Sequence, residues 1–294
     1  MALSRLRDVA LCRSLAERLR ALSEPCRLCE RRCGAARRAG ERGDCGLGQG
    51  AHVYSDLLVL GEEAVLSPSY LVMLRGCNLQ CSFCSESSEL DIPPAEQATE
   101  PSAFAQKLDA QLSRYGSRVK SLNFVGGEPS ASLPFIADVA VALMQLRPRF
   151  PPLFLNTNGL LSQESLSLAC ALFDGFIVDL KFGNETCAGL LGGWEEAPRL
   201  VERNLLSMAA SEDAPLLFVR HLLLPGHVHC CTAPIIEWFS SNVPDGVFNL
   251  VTAFARFPGS RALSWPGLEE RERREAIALL QRSAVRHKLV DGRE

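Results

Sequence analysis

The chain has 294 residues, 47% of them hydrophobic and 22% charged, with a formal net charge of −3. This is globular composition, enough for one large domain or a domain with a small module, and the charge excludes a global attraction to nucleic acid, so no nucleic-acid partner is expected. The sequence reads as free of any apolar run of about 18 residues and of a secretory h-region, so no membrane association and a cytoplasmic location are expected.

In chain order, residues 1–22 form an amphipathic segment with Leu3, Leu6, Leu11, Leu15, Leu19 and Leu22 at roughly helical spacing. A Cys/Gly/Arg-rich loop follows, with the spacing Cys26-x2-Cys29-x3-Cys33-x11-Cys45. Four clustered thiols predict a closed metal site, either structural zinc or an auxiliary four-iron cluster. Arg27, Arg31, Arg32, Arg37, Arg38 and Arg42 would offset the charge of either. Residues 51–66 read as a short β excursion around Gly61.

From residue 68 onward, strand-like and helix-like segments alternate. The strands are 69–74, 121–125, 153–156, 175–180, 216–224 and 247–251. Helical patterns cover 102–115, 134–147, 162–172, about 195–210 and 232–241, and a polar helix at about 267–286 closes the chain. Alternation predicts βαβ units and a parallel sheet, curled by right-handed crossovers into a partial barrel. A closed barrel needs eight units, and six are counted. The expected domains are therefore 1–66 (helix and four-cysteine module), 67–262 (partial barrel) and 263–294 (C-terminal helix).

The chemistry-bearing residues all fall at C-terminal strand ends, where parallel α/β folds place their sites. The first is RGCNLQCSFC, residues 75–84, in which Cys77, Cys81 and Cys84 are spaced Cys-x3-Cys-x2-Cys. Three thiolates on a four-iron cluster leave one iron open to chemistry. A zinc site completed by a distant ligand is the alternative. The cysteines are clustered in a long chain without a signal peptide, which points to thiolate ligands rather than to a disulfide scaffold.

RGCNLQCSFC resembles the signature of the radical S-adenosylmethionine (SAM) superfamily. The resemblance implies a [4Fe–4S] cluster on Cys77, Cys81 and Cys84, with SAM on the free iron. Reductive cleavage of SAM would then give a 5′-deoxyadenosyl radical for hydrogen abstraction. It also implies Phe83 near the adenine. NFVGGEPS, 123–130, resembles the superfamily's Gly-Gly-Glu-Pro motif, which places Gly126, Gly127 and Glu128 at the amino end of SAM. Asn156, Thr157 and Asn158 in LNTNG either hydrogen-bond SAM or order the backbone. VDLKFG, 178–183, resembles an Asp-x-Lys motif, so that Asp179 and Lys181 either hold a zwitterion or form a strand-end ion pair. Arg220 corresponds to an arginine that contacts SAM or substrate.

The run from 26 to about 250 resembles an uncharacterised branch of proteins similar to pyruvate formate-lyase activating enzyme. The implied fold is α/β, a partial (β/α)6 radical SAM barrel with an N-terminal Cys-rich metal-binding module. The implied partners are a polypeptide substrate and an external electron donor such as flavodoxin or ferredoxin. One departure is visible: VTAFARFPG, 251–259, stands where activases carry a Pro-Tyr-His segment.

His221, His227 and His229 read as locally satisfied side chains, and Cys230 and Cys231 as small buried residues opening a helix. The competing function is a non-catalytic iron–sulfur or zinc protein, an electron carrier or interaction module. An open iron and the Gly126–Glu128 and Asp179/Lys181 groups would be idle in such a carrier, so the sequence favours the enzyme.

Overall fold

A computed structural model describes residues 4, 6, 8–60, 63–213 and 215–293. The expected turn of β structure at Gly61 lies outside these residues, as does Leu3. Strand order follows chain order in one eight-stranded, open, mixed α/β sheet, β1 to β8. The six expected parallel strands are β2 (Ser69–Leu74), β3 (Ser121–Gly126), β4 (Leu153–Thr157), β5 (Gly175–Asp179), β6 (Leu216–Leu222) and β7 (Val247–Val251). Two edge strands extend them: β1 (Val53–Val59), antiparallel to β2, and β8 (His287–Val290), parallel to β7. β2 is buried at all but Met73, and β4 is buried throughout, apolar at Leu153–Leu155 and polar at its C-terminal end, as expected of strands covered on both faces. β1 is half-buried along its length, as an edge strand is.

The residues fall into two compact units. The first comprises 1–78, 89–157 and 161–176. It holds helix α1 (Val9–Leu22), β1 to β4, α2 (Pro101–Tyr115), α3 (Leu133–Leu146) and α4 (Gln163–Leu172). Asp8 caps α1 by accepting from the amides of Ala10 and Leu11, an interaction worth about 1 kcal/mol. The buried face of α1 is Cys12, Leu15, Ala16 and Leu19, an i, i+3, i+4, i+7 stripe, whereas Leu11 is exposed. This face packs on α3 and α4, and Arg20 pairs with Asp138 of α3.

The second unit comprises 79–88, 158–160 and 177–294. It holds β6 to β8, α5 (Glu185–Gly192), α6 (Ala197–Ala209), α7 (Ala233–Asn242) and α8 (Glu270–Arg282). α8 starts at a capping box formed by Glu269 and Glu272. The stretch Pro129–Leu146 is long and apolar enough to cross a membrane by length and composition alone. It is nevertheless 67% buried within the protein, as a core helix is, because α3 packs against both α1 and α2.

Candidate radical SAM site

The loop that leaves β2 carries the three expected cluster cysteines, and it passes from the first unit to the second after Asn78. Its first part is held by backbone. Gly76, at φ +87°, turns the chain off the strand, and its carbonyl accepts from the Glu128 amide at 2.6 Å. The Gly127 amide donates to Leu74 at 2.8 Å. A Cβ on Gly127 would stand 2.3 Å from the Gly76 oxygen, and one on Gly126 would stand 2.5 Å from the Leu74 oxygen. The two glycines are therefore required where the end of β3 presses on the end of β2. This is a backbone-on-backbone approach, in addition to any approach to a ligand.

Glu128 is fully buried, and its Oε1 accepts from the Ser130 amide at 3.0 Å and from Thr157 Oγ1 at 2.6 Å. Thr157 thus ties the end of β4 to the Gly-Gly-Glu-Pro turn. Asn156 and Asn158 are also buried, and Asn158 Oδ1 accepts from the Leu160 amide. The hydroxyls of Ser130 and Ser132 are buried with no hydrogen-bond partner among the described residues. These two orphaned donors sit in the turn that the motif assigns to a polar ligand.

In the second unit, Cys81 and Cys84 share an environment with Lys181 and Asp179. Burial pushes the Cys81 thiol up to about 11, and the Lys181 ammonium opposes that rise. Cys84 is raised by burial as well, again against Lys181. Lys181 Nζ donates to Asp179 Oδ2 at 2.6 Å. The strand-end ion pair therefore forms, and its cation acts electrostatically on two cluster thiols. Phe83 is buried in an aromatic group, 6.0 Å from Phe182 and 6.4 Å from Trp265 between ring centroids. Arg220 is half-buried on β6, and its carbonyl accepts from the Leu180 amide.

His221 is fully buried. Its Nδ1 lies 2.9 Å from the Leu180 carbonyl and its Nε2 2.9 Å from Thr232 Oγ1. Donation to the carbonyl fixes the tautomer and leaves Nε2 to accept from Thr232. Burial lowers its pKa to about 4, so it is a neutral brace, as expected of a satisfied histidine.

The N-terminal cysteines converge. Cys26 feels Cys33 and Cys45, and Cys29 feels Cys45 and Cys26. A Cβ on Gly43 would meet Cys33 Sγ at 3.0 Å and Cys45 Sγ at 3.8 Å. Of the six arginines, Arg37 serves these thiols, donating to Cys45 Sγ at 3.3 Å and to the Ala131 carbonyl at 2.9 Å. Arg32 instead pairs with Glu164, and Arg42 reaches the Ile92 carbonyl.

This loop rests on the ends of three strands of its own unit. The Cys77 amide donates to the Cys45 carbonyl at 3.1 Å, and Arg31 Nε donates to the Asn78 carbonyl at 3.2 Å. Arg37 reaches the turn after β3, and the Ser162 amide after β4 donates to Leu28. The sequence treated this module as separate. Its contact with the first cluster cysteine carries no local sequence signal.

What sequence reasoning missed is a third group, Cys187, His227, Cys230 and Cys231, whose ligand atoms all lie within 4.8 Å of one another. The expectation that His227 is satisfied locally and that the two cysteines are only small core residues is incomplete. Spacing could not reveal the group, because Cys187 is 40 residues from His227.

Comparisons with known proteins place the chain. The model of the radical SAM superfamily matches residues 71–227, more than half of the chain. An uncharacterized protein of Methanocaldococcus jannaschii is 31% identical over 258 residues, 86% of this chain and 72% of that one. GTP 3′,8-cyclase 2 of Mycobacterium tuberculosis is 37% identical over 105 residues, 35% of this chain and 28% of the cyclase. Among solved structures, SuiB of Streptococcus suis bound to S-adenosylmethionine matches with a TM-score of 0.55 at 15% identity, over 73% of this chain. The chain spans about half of SuiB, 48% of its length. The fold, the three-cysteine loop and these matches agree: the chain belongs to the radical SAM superfamily.

Proposed function

We propose that the protein is an enzyme that holds a [4Fe–4S] cluster on Cys77, Cys81 and Cys84 and cleaves SAM reductively to abstract hydrogen from an extended, polypeptide substrate. The observation that carries the first part is the three-cysteine loop after β2: its start is held by the Gly126–Gly127 backbone within the first unit, and within the second its Cys81 and Cys84 feel the Lys181 ammonium. The donor set fits the group: three thiols in one loop, a cation to offset thiolate charge, and two orphaned buried hydroxyls after Glu128. When bound, the cluster and SAM supply one-electron cleavage of a carbon–sulfur bond.

The chain's residues do the rest. Lys181 lowers the cost of ionising Cys81 and Cys84. Gly126 and Gly127 set the path of the loop. Glu128, held by Thr157 and Ser130, keeps acceptor oxygens beside the turn where the ammonium of an amino acid would bind. An external donor such as flavodoxin or ferredoxin would deliver the electron.

The polypeptide substrate is supported by the sheet. Its strands run from β1 to β8 in chain order with β1 antiparallel to β2, rather than as the eight parallel units of a closed barrel. An extended substrate supplies part of its own cover, whereas a small one needs a sealed pocket to protect a carbon radical. The resemblance to activases points the same way, as does the solved complex of SuiB with its precursor peptide SuiA (TM-score 0.52, 13% identity).

The test is deuterium transfer into 5′-deoxyadenosine from labelled candidates, run with reduced, cluster-loaded protein. Label from a partner polypeptide supports the reading. Label arriving only from a free metabolite overturns the substrate class and leaves the SAM chemistry standing.

A further inference from the structure

Outside the SAM site, the second unit gathers three cysteines and a histidine that the proposed chemistry does not use. Cys187 comes from the first turn of α5, just after β5. His227, Cys230 and Cys231 come from the turn after β6. Cys187 Sγ is 3.8 Å from Cys230 Sγ and 3.6 Å from His227 Nδ1. His227 Nδ1 is 3.2 Å from Cys230 Sγ and 3.9 Å from Cys231 Sγ.

These lengths match the edges of a zinc tetrahedron. With zinc–sulfur bonds of about 2.3 Å and zinc–nitrogen bonds of about 2.05 Å, tetrahedral angles put two sulfurs about 3.8 Å apart and a sulfur and a nitrogen about 3.5 Å apart. The three sulfur–nitrogen distances bracket the second value, and the Cys187–Cys230 sulfur–sulfur distance equals the first. A four-iron cluster, with its irons spread over a cube, has no room among ligand atoms all within 4.8 Å of one another.

The backbone around the group is built to bring it together. Val228–Thr232 is a single π-helical turn, in which the Cys231 and Thr232 amides both donate to the His227 carbonyl. In a regular α-helix, neighbours such as Cys230 and Cys231 diverge by about 100°. The wider π turn lets both approach His227, and such turns recur at functional sites. Gly183 completes the fit: a Cβ there would lie 2.6 Å from both Cys231 Cα and the Cys231 oxygen, so only glycine lets the loop after β5 press on this turn. Asn184 joins the two sides. Its Oδ1 caps α5 at the Cys187 amide, and its Nδ2 donates to the Cys230 carbonyl at 2.7 Å and to Cys187 Sγ at 3.3 Å. Thiolate ligands commonly carry such an outer hydrogen bond.

We propose that Cys187, His227, Cys230 and Cys231 bind one zinc ion. Four protein ligands fill its coordination, so the site is structural, and it clamps the segment after β5 to the turn after β6. Packing of free cysteines alone would explain the burial of Cys187 and Cys231. It would not explain a half-buried His227 nitrogen in contact with all three sulfurs.

The experiment is zinc analysis of the purified full-length chain by mass spectrometry, after growth in zinc-supplemented medium. The expected result is a loss of one zinc per chain in Cys230→Ser and in His227→Ala, relative to wild type. His227→Cys, which supplies a fourth thiolate, should keep that zinc. After cobalt(II) exchange, the same variant should gain thiolate-to-cobalt absorption. His227 is half-buried, so the His227→Ala and His227→Cys pair decides the matter even if a cysteine variant fails to fold. Equal zinc in wild type and His227→Ala overturns the site. So does a Cys187–Cys230 disulfide found by alkylation of the wild-type chain without reductant.

Discussion

Gly127→Ala tests whether backbone contact between the ends of β2 and β3 sets the cluster loop. The added Cβ would stand 2.3 Å from the Gly76 oxygen, 2.9 Å from its carbonyl carbon and 3.2 Å from its nitrogen. A carbon–oxygen contact relaxes at about 3.3 Å, so one backbone must give way by about 1 Å. No soft side chain can absorb the shift, because every atom met is main chain. The move stretches the bonds from Gly127 to Leu74 and from Glu128 to Gly76. Overpacking of this kind costs about 1–3 kcal/mol, which a chain with an extensive core should survive. A misplacement of about 1 Å at a reacting centre costs about 100-fold in rate. The expected outcome is a folded, iron-loaded variant that releases 5′-deoxyadenosine about 100-fold more slowly than wild type. The assay is chromatography of anaerobic reactions after dithionite reduction. Gly267→Ala is the control, since a Cβ there meets nothing within 4 Å. Wild-type turnover in Gly127→Ala would refute the reasoning.

Thr157→Val removes a donor from the buried Glu128 carboxylate. It should cost about 1.5–3 kcal/mol by denaturant titration, and an unchanged midpoint would contradict the bond. His221 contributes a pH dependence. Its folded pKa of about 4 lies below the ordinary value of about 6.5, so the unfolded chain binds the proton first. Stability should be full above about pH 6.5 and fall by about 1.4 kcal/mol per unit down to about pH 4. His221→Gln, which keeps a donor and an acceptor but does not titrate, should lose that part of the slope. An identical slope in both proteins would show that His221 is not the titrating group. For the N-terminal module, the metal content of a Cys77/Cys81/Cys84 triple alanine variant should fall further when Cys26 and Cys29 are also replaced by serine. Equal metal content in the triple variant and the variant with all five cysteines replaced, both folded, would end the idea of a metal site there.

The six parallel strands were legible because each is a short apolar run bounded by turn residues, and buried strands need no alternation to be seen. β8 was not, because HKLV opens with two polar residues and follows a polar helix; its pairing to β7 supplies what its composition lacks. α5 was missed because two glycines in eight residues mask a helix that the Asn184 cap starts. Among the site residues, the cysteine spacing and the Gly-Gly-Glu-Pro turn were visible as local patterns. The reason for the glycines was not: they answer to Leu74 and Gly76, some fifty residues away in sequence. Separation in sequence likewise hid Cys187 from His227, and hid the bond from Cys77 to Cys45 that joins the N-terminal module to the cluster loop.

The central claim is that Cys77, Cys81 and Cys84 hold the centre at which SAM is cleaved. Its most direct test is 5′-deoxyadenosine release by the anaerobically reconstituted full chain, measured for wild type and for each of the three cysteine-to-alanine variants. The account requires product in wild type that depends on both SAM and dithionite, and none above background in any of the three variants. Equal product in wild type and in the Cys81→Ala variant would contradict it.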